Sequence, residues 1–277
     1  MSIRARIGPV VVVLLSLWAA AAAAQTPSPF PSWMNAAGIV LAPLGGPVPD
    51  WRVDVGGGGA FLPLYEGADH YHVVPSPLFD IRYKDIAFLS LGDGLGVNLL
   101  RGQTYRAGLA LNYDVGRWDH VSGRLNGLGS ISAAPEARAF AEMALLPFVF
   151  TADLSRALGG TEGVTGNLGI YVPVVGGHDL VVFVGPSISF ANHRYMQAYF
   201  GVSSAQSAGS SAHFPVYQAS SGAKDAGIGV TAIYHFTDHW FLDAEGSYER
   251  LVGSAGNSPI VQDRDQFGTT LMVGYQF

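Results

Sequence analysis

Between Ala226 and Tyr248 the side chains alternate with period two, in two runs separated by a three-residue break. In the first run Ala226, Ile228, Val230, Ala232, Tyr234 and Phe236 share one face, and Gly227, Gly229, Thr231, Ile233 and His235 share the other. The run is 11 residues long, about the length of a tilted membrane-spanning strand. After Thr237-Asp238-His239, Trp240, Leu242, Ala244, Gly246 and Tyr248 oppose Phe241, Asp243, Glu245, Ser247 and Glu249. Three acids on one face cannot meet lipid, so that face has to look into a lumen. The two runs read as a hairpin with a short turn.

Composition limits what such a hairpin can belong to. The chain is 49% hydrophobic and 13% charged, against about 25% charged in soluble domains. Beyond the N-terminus no stretch of eighteen consecutive apolar residues occurs. Only helices and closed barrels satisfy every backbone hydrogen bond inside lipid. The expected fold is therefore all-β, a transmembrane antiparallel up-and-down β-barrel over residues 51–277. Further strands are expected at 51–62, 73–83, 86–91, 94–100, 105–114, 139–150, 164–173 and 180–190, the last weakened by Pro186. Ten strands are legible, and about twelve result if two more lie around 115–138 and 150–157; an even number follows when both chain ends share one side. The polar segments 115–138, 191–223 and 251–265 read as long outer loops. Arg52, Asp54, Arg106, Asp243, Glu245 and Glu249 are expected to face the lumen, with Arg52 and Arg106 as ion partners for the acids.

The two ends say where the barrel goes. Arg4 and Arg6, the apolar run Ile7–Trp18 and Ala22-x-Ala24 form a secretory signal peptide, cleaved near Ala24. Its removal moves the formal charge from −6 to −8, because it takes two arginines and no acid. Residues 25–50, rich in proline and glycine, read as a periplasmic lead-in. At the other end Phe267–Phe277 alternates large and small side chains and stops on an aromatic residue. This resembles the closing strand of a bacterial outer-membrane barrel, with Tyr275 and Phe277 as the signal read by the barrel-insertion machinery. The expected location is the outer membrane of a Gram-negative cell, with its lipid as first partner. The acidic balance, with Lys84 and Lys224 the only lysines, excludes a nucleic-acid partner. The chain has no cysteine, so no disulfide supports it.

Gly56-Gly57-Gly58-Gly59 lacks the following helix and Lys-Ser/Thr pair of a phosphate loop. His120-Val121-Ser122 has the His-x-Ser spacing of a base and nucleophile, but falls in a polar loop without strand alternation to position it. His70-x-His72, His193 and His213 supply at most two neighbouring ligands, short of a metal site. The chain reads as a non-enzyme without cofactor or metal.

Several short motifs in order carry a more specific resemblance. They are Pro63-x-Tyr65-x-Gly67, Pro77 to Arg82, Gly116-Arg117, Leu125-Asn126-Gly127-Leu128-Gly129, Tyr195-Met196, Tyr199-Phe200-Gly201-Val202, Tyr217 and Ser258-Pro259-Ile260-Val261. Together they are similar to the MipA/OmpV family of outer-membrane proteins, also called MltA-interacting proteins. The pattern departs at Ser211-Ala212-His213-Phe214-Pro215, where the family usually has Ser-Gly-Leu. The resemblance implies a scaffold linking the outer membrane to a murein hydrolase or synthase. Relatives described as porin-like proteins or adhesins imply the alternatives, including a small-solute pore with an acidic lumen.

Overall fold

Period-two alternation becomes, in the computed structural model, a sheet of twelve strands closed on itself. Residues 50–177 and 179–277 are described; the expected signal peptide and all of the lead-in except Asp50 lie outside them. The strands are β1 Trp51–Pro63, β2 Tyr71–Tyr83, β3 Ala87–Ser90, β4 Gly94–Arg101, β5 Tyr105–Asp114 and β6 Ala134–Leu145, followed by β7 Phe148–Ala157, β8 Val164–Gly176, β9 Leu180–Ala191, β10 Gly222–His235, β11 Trp240–Leu251 and β12 Asp265–Gln276. Each pairs antiparallel with its sequence neighbours, and β1 closes on β12 from Asp54↔Gln276 to Phe61↔Thr269. Closure pairs the first and last strands, the two edges that a linear sheet would leave free.

The two faces separate as the alternation requires. Trp51, Phe61, Leu109, Tyr113, Ile228, Tyr234, Trp240 and Leu271 point outward and are exposed. Asp54, Arg106, Asp243 and Glu245 point inward and are buried. Where β1 meets β12 the backbones come very close: a Cβ on Gly58 would lie 1.8 Å from the Leu271 carbonyl oxygen. Glycine at that position is what lets the seam close.

Two expectations about strands are corrected. Residues 139–150 are not one strand, because the Leu146-Pro147 turn divides β6 from β7. The expected strand within 115–138 is mostly loop, and only Ala134 onward enters β6. The outward face of β6 carries Ala137, Ala139 and Ala141, too small to announce a lipid-facing strand. Turns at the end holding the chain termini are short, whereas 64–70, 115–133, 158–163, 192–221 and 252–264 at the other end are longer.

Candidate functional site

The polar lumen and its two closures form the candidate site. At the short-turn end the lumen is filled by Val149, Tyr171, Val181 and Phe183, packed with Ala144 and the half-buried Ile233. Leu78, Phe241 and Met272 continue this apolar layer across β2, β11 and β12. Val149, Val181 and Phe241 are each the second residue of their strand and face inward, so the plug follows from the same alternation that lines the lumen.

The far end is closed by folded loops rather than open polar coil. Helix α1, His193–Phe200, starts at Asn192, whose side chain accepts the Tyr195 N–H at 3.1 Å. Tyr195, Met196, Tyr199 and Phe200 fall on one face at helical spacing and are buried. Helix α2, Ser204–Gly209, opens with a capping box between Ser203 and Gln206. Both lie in 191–223, expected from its polar sequence to be loop; the Asn192 cap and the helical spacing of the aromatics are the local signals of a helix there. Gly201 ends α1 where a Cβ would lie 2.1 Å from the Gln197 side chain. Val202 and Tyr217 then pair backbone to backbone at 2.8 Å in both directions, and the Tyr217 hydroxyl donates to the Ser254 carbonyl at 2.8 Å. The motif residues Tyr195, Met196, Tyr199, Phe200, Gly201, Val202 and Tyr217 thus come together as the framework of a cap.

Three other loops complete it. Tyr65, Leu125, Leu128, Val202, Phe214 and Ile260 make one apolar cluster, and α1 packs with Ala219, Leu251 and Ala255 in another. Arg117 donates to the Tyr199 carbonyl at 2.6 Å and lies over its ring, while the Tyr199 hydroxyl donates to Asp114 at 3.1 Å. Beneath α1, Lys224 contacts Glu66 and lies 2.8 Å from Asp225, and the Tyr195 hydroxyl donates to Glu66 at 3.3 Å. A β-bulge between Ala223 and Asp225 turns both Lys224 and Asp225 inside, where they are buried. Glu66, Asp114, Lys224 and Asp225 were absent from the sequence-derived site, since a bulge and four converging loops leave no local signature. Burial pushes the Tyr65 hydroxyl up to about 12 and holds those of Tyr195 and Tyr199 well above the ordinary tyrosine range.

Beside the plug and above it the lumen wall is charged and uneven. Arg52 pairs with Asp54 at 3.2 Å and Asp80 at 3.9 Å, and Arg82 joins Asp80 to Asp93 at 2.9 and 3.1 Å. Arg138 extends the network from Asp93 at 3.1 Å to Asp153 at 3.8 Å, and Arg106 pairs with Asp85 at 3.0 Å. Arg52 and Arg106 are therefore not the partners expected for the β11 acids. Those arginines lie on β1 and β5, where nearer aspartates take them. Asp243, Glu245 and Glu249 each keep one buried carboxylate oxygen without a hydrogen-bond partner, and so does the Thr231 hydroxyl that registers against Glu245. Gly229 and Gly268 flank this strand at the level of Ser247, leaving room beside the acids.

The catalytic and metal candidates stay apart from this arrangement. His120 stacks on Trp118 in a single 3-10 turn, and the Ser122 hydroxyl accepts the Arg124 N–H instead of facing the imidazole. His70 pairs with Asp69, and His193 contacts the Ala219 carbonyl. Among the described residues no group of three or more His, Cys, Asp or Glu side chains could hold a metal ion.

A family model described as MltA-interacting protein MipA matches residues 55–277. Over 103 residues the chain is 33% identical to outer membrane protein Omp26La of Vibrio anguillarum, covering 37% of this chain and 38% of that protein. The aligned stretch is thus well under half of that curated relative's length. Among solved structures, the NanC porin is 10% identical, with a TM-score of 0.40 and coverage of 80% of this chain and 98% of that one. An anion-selective porin from Comamonas acidovorans is 9% identical, with a TM-score of 0.36 and coverage of 82% and 98%. The protein is a β-barrel of the outer membrane. In bacterial barrels of this kind short turns are periplasmic and longer loops face out.

Proposed function

The chain belongs to the MltA-interacting protein MipA family, and from that membership we propose a non-enzymatic scaffold that anchors a murein hydrolase or synthase to the outer membrane. The observation that favours a scaffold over a solute pore is closure of the lumen at both ends, by the Val149–Phe183 plug and by the α1 cap. A barrel that carries nothing through itself still offers a fixed periplasmic rim. Residues 1–24 serve as the export signal, and the periplasmic turns or the 25–50 lead-in supply the contact with the enzyme. The test is affinity capture of the full mature chain, and of a chain lacking 25–50, from a lysate containing periplasmic enzymes. The full chain should retain a lytic transglycosylase or murein synthase and the shortened one should lose it. Recovery of neither enzyme by the full chain would refute the scaffold.

A second reading rests on the β11 acids. Three carboxylates with unpartnered oxygens in a lumen favour small cations once the cap opens. Single-channel recording separates the two readings: cation-selective conductance that falls in a Glu245→Gln variant supports a pore, and silence from well-folded protein removes it.

A further inference from the structure

The barrel wall is not of even height. Strand β3 has four residues, whereas each of the other strands has at least eight. A membrane strand needs about 9–11 residues. At about 3.3 Å per residue β3 rises about 13 Å, roughly half of the ~25 Å apolar band of an outer-membrane barrel. It pairs with β2 only over Asp80–Tyr83, and with β4 only over Gly94–Val97. Residues 71–79 of β2 continue toward the cap with β1 on one side and, among the described residues, no strand on the other. The wall therefore has a notch above the β3–β4 turn.

Hydrogen bonds fix which groups of β2 face this notch. Leu64 donates to the His70 carbonyl and Lys84 to the Asp50 carbonyl, so even-numbered residues of β2 bond toward β1. Leu91 donates to the Phe79 carbonyl, so odd-numbered residues bond toward β3. In an antiparallel ladder both groups of one residue point the same way and successive residues alternate. Val73, Pro75 and Pro77 therefore turn their backbone toward the notch, and the two prolines have no N–H to offer. The bare edge is a row of carbonyl acceptors nearly free of donors. Prolines there also prevent another strand from adding to the edge.

Such an edge cannot lie in hydrocarbon, because lipid tails offer its carbonyls nothing. The lumen behind the β3–β4 hairpin, below the notch, is polar as well. The turn places Asp93 between Arg82 and Arg138, each at 3.1 Å, and Gly92 accepts from Asn112 at 3.1 Å. A cavity of about 10 Å³ beside them is lined by Arg106, Asn98 and Glu142 among others. Leu89 and Leu95, paired across the hairpin and exposed on the outer surface, keep it in lipid only below its turn.

We propose that the polar headgroups of outer-leaflet lipids fill this notch, their hydroxyl or ammonium donors meeting the carbonyls of Val73, Pro75 and Pro77. The bilayer is correspondingly thinned along β2–β4, the response expected of a span too short for its membrane. The side of the barrel bearing β3 is thus a lipid-headgroup seat, unlike the full-height wall elsewhere.

Because the chain has no cysteine, single nitroxide labels can test this in folded, heat-modifiable protein reconstituted into bilayers. Leu91→Cys reports on the hairpin tip, and Leu154→Cys, outward and half-way along β7, reports on full-height wall. Collisions with a water-soluble nickel chelate should dominate at Leu91, and collisions with oxygen at Leu154, a several-fold reversal of their ratio. Oxygen-dominated collisions at both sites would mean that hydrocarbon fills the notch. A Leu91 label shielded from both reagents would mean that protein covers it, and either result overturns the proposal. Should Leu91→Cys fail to fold, Phe79→Cys, on β2 level with the turn, gives the same comparison.

Discussion

Lys224→Met is the sharpest probe of how the cap is held. The Lys224 side chain is 8% exposed, and its carboxylate neighbours Glu66 and Asp225 are 11% and 4% exposed. Methionine keeps most of the volume while stranding two acids in a site shielded from water. Removing one partner of a buried ion pair costs about 3–5 kcal/mol. At ~1.4 kcal/mol per decade, that is an opening equilibrium raised by roughly two to three and a half powers of ten. Glu66 belongs to the 64–70 loop and accepts the Tyr195 hydroxyl of α1, so the cost falls on the cap and not on the strand ladder. Hydrogen exchange read by mass spectrometry should show peptides covering 64–70 and 192–201 exchanging faster by that factor. Peptides from β7 to β9 should not change. Adding Glu66→Gln should recover part of the protection, because one stranded charge is then neutral. Unaltered exchange in both cap peptides, or equal loss across the strands, would refute the latch.

Other outcomes follow from the same geometry. Gly58→Val places a branched side chain where even a Cβ would sit 1.8 Å from a carbonyl oxygen, so the heat-modifiable folded band on a gel should be nearly lost. Alkaline titration should open the cap. Burial raises the hydroxyl of Tyr65 to about 12 in the folded protein, above its unfolded value of about 10. Its contribution is therefore fully present below pH ~10 and is lost as pH rises through about 12. Tyrosinate absorbance and loop proteolysis should rise together in that window, and proteolysis that precedes ionisation would contradict the reading. Deleting Phe277, which is 72% exposed and packs against the Tyr275 ring at 4.8 Å while its N–H donates to the Val53 carbonyl, should lower the yield of assembled barrel in cells while leaving the thermal stability of the assembled fraction within about 1 kcal/mol. Unchanged yield would remove Phe277 as an assembly signal.

Much of the wall was legible because each strand writes its own two faces. Ile228, Val230 and Tyr234 are exposed, while Asp243 and Glu245 are buried, as the alternation demands. Legibility fell where the outward face is small, as in Ala137, Ala139 and Ala141 of β6. It failed for pairings between distant strands. Arg52 and Arg106 have the charge to meet the β11 acids, yet their nearest carboxylates in space are Asp54 and Asp85. The family motifs Tyr195 to Val202 were found as letters, but the helix they form was not read from them.

By its order of side chains alone the chain determined a membrane barrel, its inward and outward residues, the short-turn hairpins and the aromatic closing strand. These are local properties, since period-two alternation and turn chemistry act within a few residues. Only the tertiary structure decided that the outer loops fold into a cap, that Lys224 meets Glu66, that the β11 acids keep unpartnered oxygens, and that β3 leaves a notch beside two prolines. Each of these depends on strand register, a bulge and ring closure, which bring together residues as far apart as Glu66 and Lys224. No local pattern encodes such a meeting, because the free energy that selects it is gained only when the whole ring has closed.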